Sequence, residues 1–161
     1  MGAAQSTMQT ALTTIDGIPA HPLLVHFIVV VAPLTALLVM ACAIWPAVRG
    51  RFVWLLLPGA LGVLVLTPLT QDSGRWLAER FGDVPAIRAH TDLGETMSYV
   101  AWALTIAAAG VTAVHYAAHR GKPLKPVYTW AITALAVVIG IGVCVQVFRI
   151  GDSGARAVWG V

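Results

Sequence analysis

Residues 23–45 contain no Lys, Arg, Asp or Glu, and this uncharged stretch is the feature that most constrains the fold. About 20 helical residues are enough to cross the roughly 30 Å hydrocarbon core of a bilayer. Three further apolar runs reach that length, so the four runs are 23–45, 52–70, 96–115 and 127–148. The run 52–70 is expected to continue as helix toward Trp76. Lipid offers the backbone no hydrogen-bond partners, so each run is predicted to be a transmembrane helix.

The composition supports the same conclusion. Hydrophobic residues make up 58% of the chain and charged residues only 11%, whereas a soluble domain carries about 25% charged residues. So little charge cannot cover a water-soluble surface. The sequence therefore predicts an all-α, integral membrane four-helix bundle: residues 1–20 form a flexible N-terminal tail, and residues 21–161 form a single four-span transmembrane domain.

The basic residues indicate the orientation of the bundle in the membrane. They lie in short loops and form no patch with interleaved aromatic residues, so the expected partner is the lipid bilayer and not a nucleic acid. Two connecting loops are basic and contain no acid, and their basic residues are Arg49, Arg51, Arg120, Lys122 and Lys125. By the positive-inside rule these loops face the cytoplasm. A multi-pass protein of the cell (inner) membrane with both termini outside is the expectation.

Polar residues collect at the opposite, outer end of the predicted spans. Ionisable groups at membrane depth are costly and usually face the interior of a helix bundle, so they are candidates for function. The members of this cluster are His21, His26, Gln71, Asp72, Ser73, His90, Asp92, Glu95, Gln146, Asp152 and Ser153.

The cluster contains a short internal sequence repeat. Residues 71–76 (Gln-Asp-Ser-Gly-Arg-Trp), after the second span, resemble residues 151–156 (Gly-Asp-Ser-Gly-Ala-Arg), after the fourth. Each pair of spans also opens with a histidine, His21 or His90. The pattern predicts two helical hairpins related by duplication, with a pseudo-twofold axis along the membrane normal. His21 and His90 would then face each other across that axis.

Residues 21–28 (His-Pro-Leu-Leu-Val-His-Phe-Ile) resemble the opening of the bacterial four-helix membrane proteins known as domain of unknown function 2231. Ile28 stands where that family usually has proline. The family also has a lone histidine before its third span, which His90 matches. Its glycine-containing segment after the fourth span is matched by residues 151–159. The resemblance runs from His21 to the C-terminus. It implies the fold and a membrane location and brings no activity with it.

The two histidines suggest a ligand site. Helical bundles hold cofactors between side chains of facing helices, so His21 and His90 are candidate ligands of a divalent metal or of both axial positions of a haem b. Asp72, Glu95 and Asp152 are candidate further metal ligands, or acceptors for the second nitrogen of each imidazole. Such a chain would be a redox-type module, working with a larger membrane or redox complex or as a homo-oligomer.

His26 has a weaker claim to that site. Five residues correspond to about 500° of helix rotation, so His26 points about 140° away from His21. It is expected to contact a neighbour such as Asp72 or Glu95, or to ligate in place of His21.

An alternative interpretation needs no ligand. His21 and His90 would cap their helices at the water boundary, and the chain would be a structural or accessory membrane subunit. A solute or proton conduit ranks last, because only threonines continue the polar cluster toward the cytoplasmic side. No motif of a hydrolase or transferase is present, so a stand-alone enzyme is not expected.

Overall fold

Helices make up nearly all of the structure, a computed structural model that describes residues 14–15 and 18–160. In chain order its elements are the strands β1 (Thr14–Ile15) and β2 (Ile18–Pro19) and the helices α1 (Ala20–Ile44), α2 (Pro46–Phe52), α3 (Leu56–Phe81), α4 (Pro85–Glu95), α5 (Met97–His119) and α6 (Pro126–Trp159), with a 3-10 turn at Val53–Leu55 before α3. The predicted all-α class is confirmed. The flexible tail was predicted for residues 1–20; of these, 1–13 and 16–17 lie outside the described residues, and β1 and β2 pair antiparallel.

Among the described residues, four helical stretches are long and apolar enough to cross a membrane: Ala20–Ile44, Pro46–Phe81, Pro85–His119 and Pro126–Trp159. They cover the four predicted spans except for Trp45, which lies just beyond the first stretch, and they extend each span at one or both ends. Pro33 and Pro68 lie inside α1 and α3, which continue through them. Neighbouring helices in a bundle can satisfy the carbonyls that such prolines release.

The helices form a four-membered bundle. Both α1 and α5 pack against α3 and α6, so α1 lies diagonally opposite α5, while the short α4 packs on α6 and α3. Small residues such as Ala32, Ala101 and Ala136 are fully buried at the helix contacts and allow the backbones to approach closely. Large apolar side chains such as Leu34 and Val138 are exposed on the outside of the bundle, where lipid is their solvent.

The two helix pairs bury corresponding positions. Buried positions of α1 recur at a constant offset in α5, and buried positions of α3 recur at another constant offset in α6. The matched pairs are Ile28/Met97, Ala32/Ala101, Val39/Ala108 and Cys42/Val111 in the first set, and Leu56/Ala136, Ala60/Gly140, Val63/Val143 and Thr67/Val147 in the second. The same faces of the two helix pairs therefore form the core.

The third span is preceded by a separate helix that the sequence analysis did not predict. The span was expected to begin at Thr96, but α4 already occupies Pro85–Glu95. Gly82, with a φ of 74°, ends α3, and Pro85 suits the first turn of α4 because its missing N–H has no helical partner there. Since α4 and α5 are divided at Thr96, His90 lies in the middle of a short helix of its own.

Candidate histidine site

His21 and His90 face each other at one end of the bundle. Their ring centroids are 6.3 Å apart and the ring planes are inclined by 76°. Neither histidine caps a helix: the N-cap residues are Pro19 for α1 and Val84 for α4, and neither cap uses a side-chain hydrogen bond. The capping alternative is therefore wrong in its geometry, because both helices begin before the histidine and leave the imidazole free to turn toward another helix.

The His21 imidazole is held by α3. Its Nδ1–H donates to the backbone carbonyl of Thr70 over 3.0 Å. A carbonyl can only accept, so in the neutral ring the proton lies on Nδ1 and the lone pair on Nε2. One helical turn further along, a Cβ atom on Gly74 would lie 2.8 Å from the His21 Cε1. The ring therefore rests directly on the backbone of α3.

The His90 imidazole is held by α6 in a corresponding way. Its Nδ1 lies 2.9 Å from the Ser153 hydroxyl oxygen, and that hydroxyl donates its own proton to the Ile150 carbonyl over 2.9 Å. The Ser153 oxygen accordingly accepts from Nδ1–H, which again leaves the lone pair on Nε2. A Cβ atom on Gly154 would lie 3.0 Å from the His90 Cε1.

The Asp-Ser-Gly segments thus lie at the same end of the bundle, and each supplies the glycine against which one histidine packs. The hydroxyls of Ser73 and Ser153 also make the same bond, each donating to the carbonyl three residues earlier over 2.9 Å. Across the part of the chain that the structure describes, neither His21 Nε2 nor His90 Nε2 forms a hydrogen bond.

The carboxylates do not take the role predicted for them. The acceptors for Nδ1 are the Thr70 carbonyl and the Ser153 hydroxyl, so the prediction that acidic side chains hold the imidazoles is wrong. The exposed carboxylates pair with arginines instead: Asp72 and Glu95 with Arg75, and Asp152 with Arg156. Within residues 14–15 and 18–160, no three His, Cys, Asp or Glu side chains are grouped to hold a metal ion.

His26 is exposed, and its Nδ1–H donates to the Pro22 carbonyl of its own helix over 2.5 Å. The predicted contact with Asp72 or Glu95 does not form, because both carboxylates are turned to Arg75. His26 nevertheless lines the same cavity as the other two histidines.

A cavity of about 730 Å³ opens at this end of the bundle and reaches both imidazoles. Pockets for small molecules and cofactors commonly measure about 300–1,000 Å³ and are mostly apolar with a few polar groups. Apolar side chains from α1, α3, α4 and α6 form most of its wall, and Gly74, Gly94 and Gly154 expose bare backbone to it. The volume and the lining suit a mostly apolar small molecule.

Comparisons with curated proteins and with solved structures give no match. A family model described as "Predicted membrane protein (DUF2231)" matches residues 17–161. The match covers most of the chain and includes both histidines and both Asp-Ser-Gly segments. The chain therefore belongs to the DUF2231 family of predicted membrane proteins.

Proposed function

We propose that His21 and His90 bind a haem b as its two axial ligands, which makes this chain a small redox module of the membrane. One observation carries the proposal: two opposed imidazoles each have Nδ1–H bound to an acceptor and Nε2 left with its lone pair. Histidines that bind metals nearly always donate their other N–H in this way, which fixes both the tautomer and the ring orientation.

The number of ligands favours haem over a single metal ion. A structural or catalytic zinc ion takes three or four protein ligands, whereas haem iron is held in the porphyrin and needs only axial side chains. The two imidazoles supply that number. A bond from metal to imidazole is about 2 Å long, and a centroid separation of 6.3 Å leaves room for one atom bound by both rings.

The surroundings of the histidines fit a porphyrin. The apolar cavity provides the volume, and the bare backbone at Gly74 and Gly154 keeps side chains away from the imidazoles. When bound, haem would supply one-electron chemistry, whose potential depends on burial and on the hydrogen bonds to the axial ligands. The chain's own part is to hold both Nδ1–H groups and to exclude water from the apolar walls.

We also propose that the two helix pairs are related by an internal duplication. The constant offsets of the buried positions and the matched His–Gly contacts support two parallel repeats, related by an axis along the membrane normal. A haem on that axis would receive one equivalent ligand from each repeat. An electron taken up by so small a module must be passed on, so the expected partner is a larger membrane or redox complex, or a second copy of the chain.

The proposed location is the inner membrane of the cell. In the proposed orientation the histidine end of the bundle faces outside and the two basic loops face the cytoplasm. The acid-free loops with Arg49, Arg51 and Lys122 support it. Reporter fusions at Gly50 and Gly121 should be cytoplasmic, and a fusion after Val161 external. An external reporter at Gly50 would reverse the orientation.

The haem proposal is tested on detergent-purified protein from haem-replete cells. We expect a Soret band and one haem per chain, and we expect His21→Ala and His90→Ala each to abolish or shift that band. His119→Ala is the matched control, because this histidine ends α5 and its ring stacks on His115.

Two other outcomes would contradict haem binding. Protein without haem but with one metal ion per chain would favour the divalent-metal site. Protein that is colourless, holds no stoichiometric metal and takes up no added haem would leave the accessory-subunit interpretation.

A further inference from the structure

The division between α4 and α5 is stabilised by two glutamine side chains. The N–H of Tyr99 donates to the Thr96 carbonyl over 3.2 Å. In a continuous helix this N–H would donate to the Glu95 carbonyl instead. The Gln71 amide donates to the carbonyls of Gly94 and Glu95, at 2.9 and 3.1 Å.

A second amide reaches the same break from another helix. Gln146 of α6 donates to the Thr96 hydroxyl over 2.6 Å and to the Leu93 carbonyl over 3.4 Å. The Gln71 amide oxygen is occupied as well, since it accepts from the Ser98 hydroxyl over 3.0 Å. Gln71 and Gln146, with the groups they bind around Thr96, are called the amide clamp below.

The amide clamp supplies hydrogen-bond donors to the backbone carbonyls at the helix break, where the surrounding side chains are mostly apolar. Backbone carbonyls released by a helix break are unfavourable in an apolar environment unless they find a donor. Gln146 is itself buried, being only 9% exposed, and a buried amide carries the same cost if it is left unpaired. The glutamine amides and the carbonyls released at the break therefore serve as hydrogen-bond partners for each other.

The clamp also determines where α4 lies. None of the residues of α4 is buried, so apolar packing holds this helix weakly. Its C-terminal end is tied to α3 by Gln71 and to α6 by Gln146, and its middle is tied to α6 through His90 and Ser153. In the first helix pair α1 passes the corresponding level as one continuous helix, so His21 needs no such device.

We infer that Gln71 and Gln146 are positioning residues of the histidine site, which hold α4 so that His90 lies opposite His21. The effect on a bound haem rests on the proposed function. The effect on α4 itself does not, and the two can be measured separately.

The first experiment is hydrogen–deuterium exchange on haem-free protein. Gln71→Met and Gln146→Met keep the length of the side chain and remove the amide. The amides of residues 85–95 should exchange at least about tenfold faster in each variant, while those of α1 stay unchanged. Thr105→Val is the matched control, because it removes an interhelical hydroxyl contact to Ala60 at a site away from α4. Exchange in α4 equal to that of the unchanged protein would overturn the inference.

The second experiment measures the haem-loaded protein. Both glutamine variants should release haem about 10–100-fold faster, the range found when groups supporting a metal ligand are removed, and should shift the low-spin electron paramagnetic resonance of the ferric iron. Unchanged release and an unchanged spectrum would also overturn the inference. If the unchanged protein binds no haem, the proposed function fails, and the exchange result still decides whether the glutamines hold α4.

Discussion

The first helix pair, α1 with α3, and the second, α4 and α5 with α6, present their histidines alike but support them differently. His21 lies on a continuous helix and donates to the Thr70 carbonyl, whereas His90 lies on a short, separate helix and donates to a serine hydroxyl that lies beside the Ile150 carbonyl, a second backbone acceptor for this ring. In both pairs a glycine packs against the imidazole beside the cavity. The pairs differ in the groups that hold the imidazole in place. This distribution is expected if the imidazole pair is the functional feature and the supporting parts were free to diverge.

The difference also identifies the weaker half. The carbonyl that holds His21 belongs to the helical backbone, so no substitution of its side chain removes it. The support of His90 includes the Ile150 carbonyl but also relies on the side chains of Ser153, Gln71 and Gln146. Substitutions in the second helix pair should therefore disturb the site in graded steps, and those in the first should act mainly through steric clashes.

Among the residues that support the imidazoles, the largest effects are expected at the two glycines that touch the rings. Gly74→Ala would place a Cβ 2.8 Å from the His21 ring, and Gly154→Ala would place one 3.0 Å from the His90 ring. The displaced imidazole should lower haem affinity about 10–100-fold, and Gly74→Ala should be the more severe because its contact is the shorter.

Two other glycines of the same helices serve as controls for this prediction. Gly62 in α3 and Gly142 in α6 have open space where a Cβ would lie, so their alanine variants should bind haem like the unchanged protein. Titration of each purified variant with haem provides the measurement. Equal affinities in all four variants would mean that the close approach of glycine to histidine has no part in binding.

An intermediate effect is expected at the serines of the Asp-Ser-Gly segments. Ser153→Ala removes the hydroxyl acceptor of His90 Nδ1–H but leaves the Ile150 carbonyl beside the ring, so it should weaken haem binding about tenfold, the lower end of the range for a lost supporting group. Ser73→Ala removes a hydroxyl that donates to the Thr70 carbonyl but makes no bond to His21, so it should leave binding nearly unchanged. Haem dissociation rates of the two variants give the comparison, and equal losses would show that the two helix pairs support their histidines in the same way.

The smallest effect is expected for the ion pairs around the rim. Arg75→Gln breaks the contacts to Asp72 and Glu95, but all three side chains are more than half exposed. Exposed ion pairs contribute about 0–1 kcal/mol, so the thermal unfolding midpoint and the Soret band should both change little. Loss of haem in this variant would show that the arginine takes part in binding.

Much of the fold was predictable from the sequence, because the constraint of the bilayer acts on whole segments. The absence of charge over residues 23–45 is enough to require a helix there. The break at Thr96 was missed, since no proline marks it and its stabilising partners, Gln71 and Gln146, come from other helices. Helix α4 was missed although Pro85 marks its first turn, because its residues read as a polar approach to the third span.

The candidate site was predictable in part. The histidines opening each pair of spans pointed to His21 and His90, and the repeated Asp-Ser-Gly segments pointed to equivalent ends of two helices, although the contact of each glycine with a histidine was not predicted. The acceptors of the imidazole protons were assigned wrongly to acidic side chains. A backbone carbonyl such as that of Thr70 leaves no mark in the sequence. The arginines were an overlooked signal, because Arg75 and Arg156 follow Asp72 and Asp152 by three and four residues on the same helix, a spacing at which side chains pair.

The most direct test of the account is the electron paramagnetic resonance spectrum of the ferric, detergent-purified protein and of its two histidine variants. A ferric iron held by both imidazoles should give a low-spin signal in the unchanged protein. This signal should be lost in both His21→Ala and His90→Ala, since each helix pair would supply one ligand. A low-spin signal that survives unchanged in either variant would contradict ligation by both histidines.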